Sequence, residues 1–215
     1  MRIELPSGTP AEAAGESADR GLVLVPDIRG LRPLLDDHEA RLAADWGCRV
    51  VAPEHYPGQE DLDLPGRFAA AAELDDDRVL ADLGAAADAT GAATVGALGF
   101  CMGGMYVLKA ASTGRFHRLV PFYGMIRVPG DWAGRGQGQP LDHLAEGDPA
   151  TVLAVIGTDD PYTPPADVEA LAATGATIAA YEGAEHGFVH DPERPAHRPD
   201  DAADAWRRAG AWLWG

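Results

Sequence analysis

Gly99-Phe100-Cys101-Met102-Gly103-Gly104 sets a thiol among glycines, directly after an apolar run (94–100) and ahead of a helix-compatible run (102–112). A nucleophile held on a strand-to-helix turn needs this composition. The bend is strained and crowded, and a Cβ at the flanking positions collides with the neighbouring chain. Such a turn lifts the sulfur above the sheet edge, and the amino end of the helix puts partial positive charge beside it, which suits a thiolate nucleophile. The Met102 N–H is aimed where a tetrahedral oxyanion forms. The other cysteine, Cys48, follows Gly47 at a strand entrance and reads as a small buried hydrophobe. Ser7, Ser17 and Ser112 all lie outside any G-x-S-x-G pattern.

A thiol nucleophile calls for a base, and the base for an orienting carboxylate, both at the ends of later strands. Asp159 and Asp160 follow the apolar run 151–157, and His186 follows the run 177–181, between Glu185 and Gly187. The order nucleophile, acid, histidine is therefore met. Either aspartate is equally suited to capping a turn before Pro161. His186 and His190 stand four apart, but Gly187 and the prolines nearby oppose a helix, and with Asp191 and His197 they assemble no convincing ligand set. No metal is expected.

The elements that must position these residues alternate. Apolar runs at 21–25, 49–52, 94–100, 118–123, 151–157 and 177–181 read as strands. Between them lie helices: one capped by Asp36 or Asp37 and ending near Trp46, one from Asp75–Asp77 to about Gly91, then 102–112, 166–174 and a terminal 200–214. The stretches 57–66 and 182–199 read as loops, and 124–150 as an irregular excursion beside the site, with the composition of a lid. The alternation predicts one α/β domain over residues 1–215, with a mostly parallel sheet and helices on both faces. Sites in such sheets lie beyond the carboxyl ends of the strands, where all three candidates fall.

Composition narrows the function further. Asp and Glu number 34 against 17 Lys and Arg, a formal charge of −17 that repels phosphate backbones and opposes nucleic-acid binding. Two cysteines exclude a disulfide scaffold or a Cys-rich zinc module. No run reaches the ~18 apolar residues of a membrane span, and MRIELPSGTP lacks a signal-peptide core, so a cytoplasmic protein is expected.

The ordered set Val25-Pro26-Asp27-Ile28-Arg29-Gly30-Leu31, Gly99-Phe100-Cys101-Met102-Gly103-Gly104, Phe122-Tyr123-Gly124, Gly157-Thr158-Asp159-Asp160 and Glu185-His186-Gly187-Phe188 resembles the dienelactone hydrolase family, within the α/β-hydrolase fold. The resemblance implies a Cys-Asp-His triad, no cofactor, and hydrolysis of a lactone or small ester through a thioester. Carried over by position, Cys101 is the nucleophile, His186 the base and Asp160, at the fourth place of G-x-x-D, the acid. The backbone N–H groups of Ile28 and Met102 become the oxyanion hole.

Two departures from the family stand out. Asp27 replaces a glutamate that activates the thiol in founding members; one methylene shorter, it either reaches the sulfur through water or shapes the loop beside Arg29. Members that open dienelactone hold its carboxylate with an upstream arginine and with groups just after the catalytic histidine, where this chain has Gly187. Arg67 is the upstream candidate, with Arg29 and Arg32 as rivals, and Tyr123 and Phe188 join the expected substrate contacts. The expected partner is a small-molecule ester or lactone, with no nucleic acid or membrane, handled by a monomer or weak homodimer. The alternatives are a general carboxylesterase or thioesterase on the same scaffold, and a non-catalytic binding or redox-sensing protein with a reactive Cys101.

Overall fold

The computed structural model describes residues 1–16 and 19–215. Its strands are β1 (Arg2–Glu4), β2 (Pro10–Ala14), β3 (Arg20–Val25), β4 (Arg49–Pro53), β5 (Thr94–Phe100), β6 (Arg118–Phe122), β7 (Leu153–Gly157) and β8 (Thr177–Tyr181). Its helices are α1 (Pro33–Trp46), α2 (Leu64–Ala71), α3 (Asp76–Ala89), α4 (Met102–Lys109), α5 (Pro140–Ala145), α6 (Pro165–Ala173) and α7 (Pro199–Trp214). The strands form one sheet in the order β1-β2-β4-β3-β5-β6-β7-β8. From β4 to β8 every pairing is parallel, while β1 and β2 join antiparallel at one edge.

Alternation along the strands builds two cores. In β3, Leu22 and Leu24 pack with Leu35 and Leu42 of α1 and with Ala205 and Leu213 of α7. Val23 and Val25 point the other way, into a layer with Val79 and Leu83 of α3 and Met105 and Val107 of α4. Because both faces are covered, the central strands are apolar at nearly every position, which is why they read as continuous runs. Each fully buried side chain of this size contributes about 1.5–3 kcal/mol relative to exposure.

The departures from the sequence reading have local causes. The edge strands β1 and β2 are too short and too polar to stand out; Pro10, Glu12 and their neighbours are fixed by pairing, not by pattern. Helix α1 starts at Pro33, earlier than expected, with Arg32 at its cap position; Asp36 sits in the first turn, where a negative charge favours the helix amino end. The expected loop 57–66 ends in α2, whose amino terminus is capped by the Asp63 side chain accepting from the Gly66 N–H. The excursion at 124–150 contains a 3-10 turn and the six-residue α5. It is bound to the body by one buried carboxylate: Asp76 accepts from Lys109 Nζ at 2.7 Å, from the Gly138 N–H at 2.8 Å and from His143 Nε2 at 3.1 Å. Lys109, the only lysine, is fully buried there.

The turn after β5 is the tightest point of the fold. Cys101 has φ 55° and ψ −118°, and it and Tyr123 are the two non-glycine residues with positive φ among those described. Two backbone hydrogen bonds hold it, from the Cys101 N–H to Phe122 O at 3.1 Å and from the Met105 N–H to Cys101 O at 3.0 Å. At Gly103 an added Cβ would lie 2.2 Å from Pro26 O and 2.3 Å from Val25 O. The first turn of α4 is thus pressed directly onto the end of β3. Substituting Gly103→Ala is expected to cost about 3 kcal/mol or more, because only backbone could move aside. Urea unfolding checks this; a loss within the range of an exposed alanine would contradict the packing argument.

Candidate active site

Three strand ends converge on one cavity of about 230 Å³. Cys101 follows β5, His186 follows β8, and both line it. Asp160, in the turn after β7, is almost fully buried behind the histidine, and its Oδ2 lies 2.8 Å from His186 Nδ1. The other carboxylate oxygen, Oδ1, accepts from the Tyr162 N–H at 2.8 Å. A carboxylate can only accept, so Nδ1 carries a proton in either charge state of the ring, and in the neutral imidazole it is Nε2 that has the lone pair. Nε2 is buried and has no hydrogen-bond partner among the described residues. Asp159, by contrast, is exposed and bonded to Thr158. Of the two sequence candidates, Asp160 is therefore the one beside the histidine.

Burial alone would strip the proton from His186. The hydrogen bond to Asp160, followed by the influence of Cys101, overcomes it and raises the pKa from 6.5 to about 9. The imidazole ring of His186 is hemmed in by tyrosines, with Tyr162 edge-on at 4.7 Å and Tyr123 at 5.2 Å.

A second polar system lies alongside. Asp27 Oδ1 accepts from Arg32 Nη1 at 2.7 Å and from the Arg29 N–H at 2.9 Å. Its Oδ2 accepts from Arg32 Nη2 at 2.8 Å and from His190 Nε2 at 2.9 Å. His190 Nδ1 in turn accepts from the Tyr123 hydroxyl at 2.6 Å. Burial would raise the Asp27 pKa, but His190 and Arg32 hold it well below the usual carboxylate range. His190 itself is kept neutral chiefly by burial, against the pull of Asp27. With four donors on one carboxylate, Asp27 has its acceptor positions filled. Of the two expectations for it, the loop-shaping one matches these contacts: it ties the loop after β3 to the loop after β8.

The remaining candidates divide. Ile28, Arg29 and Asp27 line the cavity with Leu64, Phe68, Met125, Trp132 and Tyr162. Met102 opens α4 next to the sulfur, where helix amides lack intrahelical partners. Three expected substrate contacts are corrected. Arg67 is buried away from the cavity, with Nε donating to Leu62 O at 3.1 Å, Nη1 3.6 Å from Glu54, and its guanidinium stacked on Tyr56. Tyr123 and Phe188 are fully buried in the core, where their rings meet edge to face at 5.8 Å. The sequence reading missed His190 as a partner of Asp27, and Arg194 on the cavity wall. The four-residue spacing from His186 was the only signal for the first.

Among the described residues, no three His, Cys, Asp or Glu side chains gather as metal ligands. No described helix is long and apolar enough to cross a membrane.

Comparison with known proteins gives the family. Residues 8–214 match the model of the dienelactone hydrolase family. A carboxymethylenebutenolidase from Rhodococcus opacus is 30% identical over 224 residues, covering 94% of this chain and 85% of that protein. A Bradyrhizobium protein named "Probable 2-oxo-3-(5-oxofuran-2-ylidene)propanoate lactonase" is 32% identical over 209 residues, covering 89% of this chain and 82% of the relative. A crystal structure titled "Putative Dienelactone Hydrolase" from Klebsiella pneumoniae superposes with a TM-score of 0.82 at 27% identity, covering 99% of this chain and 97% of the other.

Two outcomes test this geometry. The raised His186 pKa means the native state holds the imidazolium more tightly than the unfolded chain does. That stabilisation is complete below pH 6.5 and lost as pH rises through about 9. Urea unfolding across this window should show a larger loss for the parent than for His186→Gln; equal losses would refute it. Asp27→Asn leaves Arg32 and His190 facing a neutral amide and is expected to cost about 3 kcal/mol at neutral pH, by the same measurement. A cost near zero would mean that the tie contributes nothing.

Proposed function

The chain is a member of the dienelactone hydrolase family, with the α/β-hydrolase fold and a hydrolase's action on carboxylic esters or lactones, and we propose that it works through Cys101, His186 and Asp160 by way of a thioester. The observation that carries this reading is the buried, unpartnered Nε2 of His186, held in the proton-accepting tautomer by Asp160 and sharing one cavity with the Cys101 sulfur.

The steps balance simply. Cys101 gives its proton to His186 Nε2 and its sulfur attacks the carbonyl carbon. The oxyanion is met by the backbone N–H groups of Ile28 and Met102, each such donor being worth about 3 kcal/mol in comparable sites. The carbon–oxygen bond breaks, and the imidazolium protonates the departing alkoxide; from a lactone the alcohol stays tethered. His186 then takes a proton from water, which attacks the thioester, and the sulfur leaves and is reprotonated. Thiolate is itself a good leaving group, so an amide adduct tends to collapse backwards. Esters and lactones are accordingly the favoured substrates.

Charged groups on the cavity wall favour this reading over a purely apolar lipase-like pocket, and relatives bearing lactonase and butenolidase names agree with it. The test is direct. Cys101→Ala should lower kcat on an activated aryl ester by about 10⁴-fold or more, and intact-mass measurement of the parent during turnover should show an acyl adduct on Cys101. Turnover that survives stoichiometric alkylation of Cys101 would eliminate the nucleophile.

A further inference from the structure

Two aromatic rings of the cavity wall come from separate segments. Phe68 belongs to α2 and Trp132 to the 3-10 turn of the excursion, and the two rings lie 6.0 Å apart. Phe68 is exposed, whereas Trp132 is buried.

What fixes Trp132 lies outside the cavity. Just beyond it the excursion is seated on the end of α2, where an added Cβ at Gly134 would collide with Ala72 O. Gln137 Nε2 donates to Ala71 O at 2.6 Å, and the Asp76 N–H donates to Gly136 O at 2.8 Å. The Asp76 side chain completes the junction. Its Oδ2 takes the Gly138 N–H and His143 Nε2, and its Oδ1 takes Lys109 Nζ. His143 has a second tie, with Nδ1 3.2 Å from Ser112 Oγ. Ahead of Trp132, the Val128 N–H donates to Gln139 Oε1 at 3.0 Å and folds the chain back onto the same stretch.

These ties have one feature in common. Lys109 is the last residue of α4, and Ser112 lies in the 3-10 turn that follows it. The first residue of α4 is Met102, next to the Cys101 sulfur. One helix therefore carries the nucleophile at its amino end and the anchor of the excursion at its carboxyl end. A buried ion pair adds little net stability, because desolvation offsets the attraction, but it admits one arrangement where an apolar contact admits several.

We propose that Asp76 and His143 are positioning residues: by binding the excursion to the end of α4 opposite Cys101, they set the place of Trp132 relative to the sulfur and so decide how tightly the apolar part of an ester is held against Phe68 and Trp132. This rests on the esterase reading above and goes beyond it, since it assigns substrate selectivity to a buried charge cluster of which no member lines the cavity. Supporting groups of this kind matter because a displacement of about 1 Å, caused far from the reacting atoms, is enough to change rates by up to about 10²-fold.

Asp76→Asn would strand the buried ammonium of Lys109, so the test uses His143→Ala and Gly134→Ala. The quantity read is the ratio of kcat/KM for para-nitrophenyl hexanoate, which has a long apolar chain, to that for vinyl acetate, which is compact. In both variants the ratio should fall about fivefold or more, through the KM of the hexanoate. Arg135→Gln, at an exposed position of the same excursion, should leave the ratio in place. A ratio unmoved in His143→Ala would overturn the proposal; a merely structural loss lowers the fraction of active protein, scales both esters equally and gives that result. In a Trp132→Ala background, His143→Ala should change the ratio less than about twofold, because both act through one ring; a full further fall would also overturn it. Binding of para-nitrophenyl hexanoate to Cys101→Ala, by calorimetry, separates this inference from the catalytic one. If the parent turns over neither ester yet His143→Ala weakens that binding about fivefold, the mechanism fails and the positioning role stands. If His143→Ala leaves the binding unchanged, the positioning role fails whatever the turnover.

Discussion

The sulfur of Cys101 is where it is because α4 is pressed backbone to backbone against the end of β3. That contact admits no side chain at Gly103 and forces a positive φ on the cysteine, a conformation that costs a non-glycine residue of order 1–3 kcal/mol. The cost is met by the sheet itself, through hydrogen bonds linking Cys101, Phe122, Tyr123 and Val155 across three adjacent strands. Tyr123, the other strained residue, sits at the neighbouring strand end. Strain is thus concentrated along one edge of the sheet, the edge that carries the chemistry.

Two carboxylates organise the histidines on that edge in opposite ways. Asp160 bonds His186 at Nδ1, raises its affinity for a proton and leaves Nε2 free toward the cavity. Asp27 bonds His190 at Nε2, but burial keeps that ring neutral, and Tyr123 occupies its other nitrogen. The first pair is open on one side and can exchange a proton with something that enters. The second is closed at both ends and can only hold loops together. The same aspartate–histidine pairing, made by two histidines four positions apart on one loop, therefore serves reactivity in one case and architecture in the other.

The excursion between β6 and β7 depends on a comparable closed system. Asp76, Lys109 and His143 draw it onto α3 and α4, which brings Met125 and Trp132 into the cavity wall. Apolar side chains and charged ones thus share the lining of one small cavity.

The amino-acid sequence alone determined what local rules can specify. The strands β5 and β7 are continuous apolar runs because both their faces are buried, and the glycines around Cys101 are demanded by the turn they form. These signals, with the order of the aspartate and the histidine, made the fold class and the three proposed catalytic positions legible. The tertiary structure alone decided which charges meet. Asp27 finds His190 across 163 positions of sequence, and Lys109 finds Asp76 across 33. Arg67 turns inward to Glu54, while Arg194 reaches the cavity wall. The edge strands and α5 were equally out of reach, being too short to show a period and formed by the partners they pack on. Periodicity records which side of an element is buried; the pairing of a charged side chain depends on the few ångströms separating it from residues far away in the chain, and only the folded arrangement sets those.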